Sequence, residues 1–238
     1  METKTEYQKI NTLFKRDSNN VIMPDAWADP MFEYLANTKW EATEKVDGTN
    51  IRIIITPPAI EDTPVGVAFR GRTDAAQIPG HLLKRLEELF PVDKMTEQFN
   101  PAGRPLKDTI VLYGEGYGEK IQSGGRYAKG GADFILFDIR VGDWWLLRDK
   151  VEGIASVLGI EVVPLVGYMT IPEAIEYVRR GFTSMIAADP TLPAEGLVLK
   201  TPMGLLDRTG HRIVAKVKTV DFRKLEAKQT RINKERKA

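Results

Sequence analysis

The chain lacks cysteine and contains only two histidines, His81 and His211, among its 238 residues. Without cysteine it can form no disulfide, no thiolate nucleophile and no cysteine-ligated zinc site. Two histidines argue against a histidine-based metal site. No G-x-S-x-G segment supports a Ser-His-Asp hydrolase either. The candidates that remain for chemistry are chiefly lysine, arginine and the carboxylates.

Long apolar runs are also missing, since no segment approaches the roughly 18 residues that a membrane-spanning helix needs. Residues 1–17 are polar and lack the apolar segment of a signal peptide. We therefore expect a soluble, intracellular, cytoplasmic protein, located in a host cell if the gene is viral. Neither sign of charge is in excess, because 34 Lys and Arg oppose 33 Asp and Glu. The bulk charge gives no signal for nucleic acid.

The C-terminal segment, residues 221–238, differs from this balance, with seven basic residues against three acidic ones. Two explanations stand side by side: a solubilising helix end, or a surface that contacts an acidic partner. We expect two parts, a catalytic domain over residues 1–220 and a basic helix or tail over residues 221–238.

Periodicity and turn residues predict an α+β fold with largely antiparallel sheets and flanking helices. Strands are predicted at residues 39–45, 51–55, 65–70, 109–113, 134–141, 144–147, 197–200 and 212–218. Helices are predicted at residues 81–90, 149–158, 171–180 and from 221 onward. The seven glycines within residues 114–131 predict a mobile loop. Gly142-Asp143 predicts a hairpin turn.

A lysine nucleophile is suggested by Lys45, which ends a predicted strand directly before an Asp-Gly turn. A lysine amine attacks only when unprotonated, and its ordinary pKa is about 10.4. Nearby cations or burial lower the pKa of a lysine. Alone, K-x-D-G is a weak signal, and a surface lysine before a turn explains it more often.

Two later strands carry further charged groups. Glu195 and Lys200 stand at the two ends of one short apolar strand. Lys216 and Lys218 are two residues apart, which places both on one face of another strand. Two lysines on one sheet face are costly unless they meet an anion, and phosphate is the natural candidate. The alternative is an edge strand that uses lysine to prevent aggregation.

Three further positions favour nucleotide binding. Phe137 offers a ring on which a purine can stack, although a core phenylalanine is the plainer explanation. Glu115 follows a strand and suits ribose hydroxyls, and Arg72 suits phosphate or ribose. The surrounding glycines lack G-x-G-x-x-G spacing, which excludes a Rossmann motif.

Taken in order, these segments resemble the motifs of the covalent nucleotidyltransferase superfamily of DNA ligases, RNA ligases and mRNA capping enzymes. The segments are EKVDGTN (44–50), FRGRT (69–73), YGEGYG (113–118), FILFDI (134–139), EGLVLK (195–200) and VAKVK (214–218). One motif is unspecific, whereas six in a fixed order are highly specific. The resemblance implies a nucleotidyltransferase domain, of the ATP-grasp-like ligase type.

Within the superfamily the chain looks most like RNA ligases of the phage nick-sealing type. They share Thr49-Asn50 after the glycine, an Arg-Thr pair like Arg72-Thr73, and an Ile-Gln pair like Ile121-Gln122. One departure is Asp47, where that type often has histidine and DNA ligases have aspartate. Another is the short stretch after Lys218, where relatives add a further domain. We therefore expect a separate partner to help bind the nucleic-acid ends.

The resemblance implies that Lys45 attacks ATP to form lysyl-AMP, with Mg²⁺ accompanying the nucleotide. AMP then passes to a 5′-phosphate end, and a 3′-hydroxyl displaces it, with RNA rather than DNA ends as substrates. The catalytic residues it implies are Lys45, Glu195, Lys216 and Lys218. The nucleotide-binding residues it implies are Glu44, Asp47, Asn50, Arg72, Glu115, Phe137 and Lys200. No protein ligand for the metal is predicted.

Three alternatives stay open. A capping-type enzyme would use GTP, but Asn50 and the Ile-Gln pair argue against it. A DNA ligase stays possible through Asp47. A non-catalytic domain that binds nucleic-acid ends is the alternative from another class, and the intact Lys45 and Glu195 argue against such decay. A purely structural protein has no positive feature in the sequence.

Overall fold

The computed structural model describes residues 5–60, 63–102, 104–122, 126–128 and 130–235. Within them the strands are β1 (Asn11–Thr12), β2 (Phe14–Arg16), β3 (Ile22–Trp27), β4 (Trp40–Glu44), β5 (Thr49–Thr56), β6 (Gly66–Arg70), β7 (Ile110–Gly118), β8 (Ala132–Val141), β9 (Trp144–Trp145), β10 (Glu161–Val162), β11 (Leu165–Met169), β12 (Gly196–Lys200) and β13 (Val214–Lys218). The helices are α1 (Pro30–Tyr34), α2 (Gly80–Leu89), α3 (Val92–Phe99), α4 (Arg148–Leu158), α5 (Ile171–Arg180) and α6 (Thr219–Glu235). This confirms the α+β class with largely antiparallel sheets.

The chain divides into two compact units, each built on its own sheet. Unit 1 comprises Met1–Tyr7, Asp47–Val163 and Ala187–Asp189. Its sheet has the strand order β10-β8-β7-β5-β6, with β9 added beside β8. Unit 2 comprises Gln8–Val46, Pro164–Ile186 and Pro190–Ala238. Its main sheet has the order β1-β13-β12-β4-β11, and β2 and β3 form a small second sheet.

One face of β5 contributes to the core of unit 1. Ile51, Ile53 and Ile55 are buried on one face of the sheet, because successive side chains of a strand point to opposite faces. Leu82 and Leu86, one helical turn apart on α2, pack into the same cluster. The helical face predicted for residues 81–90 is thus confirmed.

Unit 2 buries its helices against a second cluster. Ile171, Ala174 and Val178 repeat at helical spacing along α5, and all three are buried there. The helix begins with a capping box, in which Thr170 and Glu173 satisfy each other's backbone N–H groups. The predicted bounds of this helix, residues 171–180, are confirmed.

Helix α6 also belongs to this cluster, through its buried residues Phe222 and Leu225. It is tied to the small sheet by two ion pairs, Arg16 with Asp221 at 2.7 Å and Lys228 with Asp17 at 2.6 Å. The helix predicted from residue 221 is therefore confirmed through Glu235, and residues 236–238 lie outside the described residues.

The predicted loop at residues 114–131 is wrong in its first part, because β7 continues to Gly118. The glycines serve close packing here. A Cβ at Gly114 would lie 2.2 Å from Phe134, and one at Gly116 would lie 2.5 Å from Leu82 of α2. Glycine lets the ring and the helix approach the strand, so its frequency signals contact rather than mobility. Residues 123–125 and 129 of this predicted loop lie outside the described residues.

The hairpin predicted at Gly142-Asp143 is confirmed by the pairing of β8 with β9. The predicted strand pair around the Asp47-Gly48 turn forms as two strands, but they do not pair with each other. β4 pairs with β12 and β11, whereas β5 pairs with β6 and β7. Within the described residues no helix is long and apolar enough to cross a membrane.

Candidate active site

Lys45 follows the last residue of β4 in unit 2, where two backbone contacts fix the chain. The Glu44 N–H donates to the carbonyl of Pro164 at 3.0 Å, and the Lys45 N–H donates to the carbonyl of Gly196 at 2.9 Å. The Lys45 amine donates to Glu195 Oε2 at 2.5 Å. The lysine is therefore held at both its backbone and its amine.

Glu195 bridges two lysines. Its Oε2 contacts Lys45 Nζ at 2.5 Å and its Oε1 contacts Lys218 Nζ at 2.6 Å. The side chains of Lys45, Glu195 and Lys218 are 20%, 17% and 27% exposed. Partial burial weakens the screening by water, so these pairings are stronger than those on an open surface. Two of the predicted catalytic lysines thus share one carboxylate.

Gly196 makes this bridge possible. Its φ of +152° lies in a region that side chains rarely adopt, and a Cβ there would lie 1.9 Å from the carbonyl oxygen of Val217. The carbonyls of Glu195 and Gly196 also accept from Thr219 and Lys45, at 3.0 and 2.9 Å. The close approach that only glycine permits places Glu195 beside both lysines.

Lys216 and Lys218 lie two residues apart on β13 and are both half-buried, as alternation predicts. The neighbouring positions Ala215 and Val217 point into the core of unit 2. Strand β1 pairs with Ala215 and Lys216 on one side and β12 pairs on the other. This part of β13 is therefore not an edge, and protection against aggregation does not explain Lys216.

Lys200, at the far end of β12, lies directly opposite Glu41 of β4. It is separated from Glu195 by the length of the strand, in which apolar Leu197 and Leu199 are buried. The structure therefore places Lys200 in the same sheet as Lys218, but next to Glu41 instead of Glu195.

Glu44 is buried within unit 2. Its carboxylate accepts from the Ser184 hydroxyl at 2.5 Å and from the Met185 N–H at 2.7 Å. Burial raises the pKa of Glu44 above 4.5, and the two hydrogen bonds oppose that rise. The carboxylate, predicted to bind nucleotide, thus holds the segment at residues 184–185.

The turn after Lys45 lies in unit 1, because the units divide between Val46 and Asp47. The Asp47 N–H donates to the Tyr127 hydroxyl at 3.4 Å. A Cβ at Gly48 would lie 2.3 Å from the carbonyl oxygen of Gly116. The glycine of the K-x-D-G motif therefore lets the start of β5 approach β7.

Asn50 and Glu115 are brought together on the sheet of unit 1. They are opposite each other in the register of β5 and β7, so their side chains share one face. Ile51 points to the opposite face and is buried in the core. The Asn50 Oδ1 atom is buried and accepts no hydrogen bond from the described residues. An acceptor of this kind suits a donor brought by a ligand.

Phe137 is placed by a β-bulge in β8. Tyr113 pairs with Asp138 but Gly114 pairs with Leu136, so Phe137 is the extra residue between them. The half-buried ring packs edge-on against Tyr7, with the ring centroids 5.1 Å apart. The Tyr7 hydroxyl in turn donates to Asp138 at 2.5 Å. Tyr7 is a neighbour of the predicted site that the sequence did not single out.

Arg72 lies in unit 1, in the segment that follows β6, and its side chain is exposed. The structure thus divides the predicted residues between the two units. Unit 2 holds Glu44, Lys45, Glu195, Lys200, Lys216 and Lys218, and unit 1 holds Asp47, Asn50, Arg72, Glu115 and Phe137. Among the described residues, no group of three or more His, Asp or Glu side chains is placed to hold a metal.

Gly196 and Ser184 are further residues of functional interest that were not singled out in the sequence. A signal existed for Gly196, since a glycine directly after a lone glutamate and before an apolar strand is unusual inside a sheet. None existed for Ser184, because its contact with Glu44 joins residues 140 positions apart.

The two sheets and their order of strands define a nucleotidyltransferase-type fold, as comparison with solved structures confirms. The chain is similar to a mutant of the RNA ligase of Naegleria gruberi with AMP and manganese (19% identity, TM-score 0.56, covering 91% of this chain and 58% of that one). It is also similar to a ligand-free mutant of that ligase, with 18% identity and a TM-score of 0.57, over 95% of this chain and 61% of that one. A third mutant, with ATP and manganese, is similar with 19% identity and a TM-score of 0.56, over 88% of this chain and 56% of that one.

The sequence profile of the RNA ligase family matches residues 38–218, most of the chain. The chain therefore belongs to the RNA ligase family. It spans less than two thirds of the length of the solved Naegleria structures described above. No curated protein sequence matches it.

Proposed function

We propose that this protein is an ATP-dependent RNA ligase that joins 5′-phosphate and 3′-hydroxyl ends through AMP attached to Lys45, with residues 1–220 as its adenylyltransferase domain. The observation that carries the proposal is the Lys45 amine, held 2.5 Å from Glu195, which also binds Lys218 at 2.6 Å. Family membership and the ATP and AMP bound by Naegleria relatives support the same reaction.

In the first step the Lys45 Nζ forms a bond to the α-phosphorus, and the bond to the β-phosphate oxygen breaks, releasing pyrophosphate. Glu195 orients the amine through its 2.5 Å contact. Lys218 and Lys216, on one face of β13, stabilise the negative charge that develops on the α-phosphate. Lys200, opposite Glu41 at the other end of β12, would add only a weaker and more distant positive charge.

In the later steps an oxygen of a 5′-phosphate end displaces Lys45 from AMP, and a 3′-hydroxyl then displaces AMP. The proposed nucleotide contacts in unit 1 are Asn50, Glu115 and Arg72 for polar groups and Phe137 for stacking on adenine. Glu44 and Asp47 shape the two ends of the segment around Lys45. The buried Oδ1 of Asn50, which accepts no hydrogen bond within the described part of the chain, supports a bound donor there.

A divalent cation, Mg²⁺, is proposed to arrive with the triphosphate and to neutralise part of its charge. Mg²⁺ is usually held by substrate phosphates together with only one or two carboxylates. Glu195 is the carboxylate nearest the reacting amine, and it would serve this role if a lysine released one of its oxygens.

Helix α6 is proposed to contact the nucleic acid, because its exposed surface carries Arg223, Lys224, Arg231 and Lys234. Deleting the helix would also remove Phe222 and Leu225 from the core. Charge reversal at Arg231 and Lys234 avoids this problem. We expect weaker RNA binding with a smaller salt dependence, and unchanged lysyl-AMP formation. Reversal at exposed Lys84 and Lys107 of unit 1 is the charge-matched control.

The joining reaction tests the proposal directly. A 5′-adenylated RNA strand and a 3′-hydroxyl strand, without ATP, should be joined by the Lys45→Ala variant, because the adenylated end bypasses both steps that need Lys45, lysyl-AMP formation and AMP transfer. The same variant should fail on a 5′-phosphate strand with ATP. Parallel DNA strands separate RNA from DNA preference. Binding of all ends without any joining would favour the non-catalytic alternative.

A further inference from the structure

Arg52 is a fully buried charge in the apolar strand β5. It lies between Ile51 and Ile53, and its exposure is 0%. A buried guanidinium is strongly destabilising unless its donors are all directed at partners. Arg52 was not among the predicted site residues, and the proposed reaction gives it no role.

The three partners of Arg52 come from two segments of unit 1, the N-terminal segment and the segment that follows β6. Its Nε donates to the carbonyl of Gly71 at 2.8 Å, one terminal nitrogen donates to Asp74 at 2.7 Å, and the other donates to the Thr5 hydroxyl at 2.7 Å. The Gly71 carbonyl belongs to the peptide bond that joins Gly71 to Arg72. Arg52 therefore holds the backbone immediately before Arg72 and a side chain two residues after it.

The segment held in this way is otherwise exposed. Residues 72–77 are exposed, whereas Gly71 is buried. A Cβ at Gly71 would lie 2.8 Å from Ala76, and the Ala76 N–H donates to the carbonyl of Thr73 at 3.1 Å. The segment thus folds back tightly on itself after β6, and Arg52 binds it to β5 through Gly71 and Asp74.

From this geometry we propose that Arg52, with Asp74, is a positioning residue for Arg72. The inference rests on the proposed function, in which Arg72 contacts the ribose or phosphate of the nucleotide or of the 5′ end. Arg52 and Asp74 form a clamp that fixes the chain on both sides of Arg72. This clamp restricts where the Arg72 guanidinium can lie. Contacts to phosphate and ribose depend on placement, so a loosened segment weakens them.

The choice of arginine follows from the same geometry. Its planar fork directs donors to three partners at once, whereas the ammonium of lysine is a compact point charge on a flexible stem. We expect Arg52→Lys to keep part of the function and Arg52→Met to lose it. Because a buried position is involved, either variant can also lower stability, so the decisive substitution lies elsewhere.

Asp74→Ala is the decisive variant, because the Asp74 side chain is 75% exposed and its removal leaves Arg52 bound to Gly71. The matched control is Glu152→Ala, which removes a half-exposed acid from an ion pair with the mostly buried Arg148 in the same unit. The Tm of each variant is measured first, and activities are compared at a temperature at which both variants are fully folded. Lysyl-AMP formation is measured against ATP concentration, and AMP transfer is measured to 5′-phosphate RNA.

We expect Asp74→Ala to impair whichever of these steps Arg72→Ala impairs, with a roughly tenfold rise in KM and little change in the limiting rate. Glu152→Ala should leave both steps unchanged. In the Arg72→Ala background, Asp74→Ala should have no further effect, because a positioning residue acts only through its target.

Two results would overturn this inference. If the effects of Asp74→Ala and Arg72→Ala multiply, or fall on different steps, the clamp acts on the fold and not on Arg72, while the proposed ligase reaction stands. If folded wild-type protein forms no lysyl-AMP, the proposed function fails and the inference fails with it.

Discussion

The two units carry chemically different parts of the candidate site. In unit 2 the groups are charged and bind one another, with Glu195 shared between Lys45 and Lys218. In unit 1 they are an amide, two carboxylates, an aromatic ring and an exposed guanidinium, supported by a bulge and a buried arginine. Under the proposed function, charge stabilisation is assigned to unit 2 and nucleotide recognition to unit 1. A single motif crosses between them, since Lys45 belongs to unit 2 and Asp47 to unit 1.

This difference predicts two kinds of kinetic defect. Variants of the charged group in unit 2 should mainly lower the limiting rate of lysyl-AMP formation, because they act on charge that develops during reaction. Variants of Asn50, Glu115, Arg72 and Phe137, the proposed nucleotide contacts in unit 1, should mainly raise KM for ATP, because they act on binding.

The largest effect is expected at Glu195. Glu195→Gln removes the charge that orients Lys45 and leaves two lysines beside a neutral amide. The limiting rate of lysyl-AMP formation should fall at least about 100-fold. Single-turnover measurements with labelled ATP check this. Glu173→Gln is the control, since Glu173 pairs with Lys39 on the exposed surface of the same unit. If Glu195→Gln raised only KM for ATP, the proposed division of roles between the two units would be contradicted.

Gly196→Ala should follow, because it strains the backbone that places Glu195. A positive φ costs a non-glycine residue about 1–3 kcal/mol, and the Cβ would also overlap the carbonyl oxygen of Val217. Denaturant unfolding should therefore show lower stability together with slower lysyl-AMP formation. Gly153→Ala in α4 is the contrast, because nothing lies within 4 Å of a Cβ there. It should stabilise by up to about 1 kcal/mol. Similar outcomes for both glycines would contradict the role given to Gly196.

Phe137→Ala should raise KM for ATP about tenfold, since stacking on an aromatic ring contributes about 1–3 kcal/mol per base. The limiting rate should change little. Trp144→Ala in the same unit is the control, because that ring is 79% exposed on β9. An unchanged KM in the Phe137 variant would make the ring a packing residue of unit 1.

The smallest effects concern two glutamates of unit 2 with opposite pKa shifts. Burial raises the pKa of Glu44 above 4.5, so its contribution to stability is greatest below that pH and is lost as the pH rises through the folded-state pKa. Hydrogen bonds from Lys39 and Thr170 lower the pKa of Glu173 to about 2, so its contribution is present above 4.5 and is lost as the pH falls. Unfolding of Glu44→Gln and Glu173→Gln, each relative to wild type, should show opposite pH slopes. Slopes of the same sign would contradict these assignments.

Local patterns predicted much of the fold. Helices such as α5 are defined by their own periodicity and capping residues, and the β8–β9 hairpin by its Gly-Asp turn. The strand at Gly114–Gly118 was not predicted, because its glycines are required by Phe134 and Leu82, which lie elsewhere in the sequence. Strands β1 to β3 were missed as well. β1 and β2 have only two and three residues, and β1 depends on a pairing partner, Ala215, that local sequence does not reveal.

In the candidate site too, contacts between residues distant in the sequence could not be predicted. Motif order identified the lysines and Glu195, and their roles stay a prediction until they are measured. The contact of Glu195 with both Lys45 and Lys218 was not predictable, because it depends on the close approach at Gly196. The Arg52 clamp was hidden for a different reason, since an arginine within a run of isoleucines gives no indication of its partners.

Formation of lysyl-AMP tests the central claim most directly. Folded protein, verified by mass to carry no AMP beforehand, is incubated with Mg²⁺ and α-labelled ATP or GTP. The labelled adduct is then mapped by mass spectrometry. We predict AMP on Lys45 from ATP and not from GTP, and no adduct in the Lys45→Ala variant. An adduct that persists in that variant would contradict the assignment of Lys45, and the absence of any adduct in wild-type protein would contradict the ligase function itself.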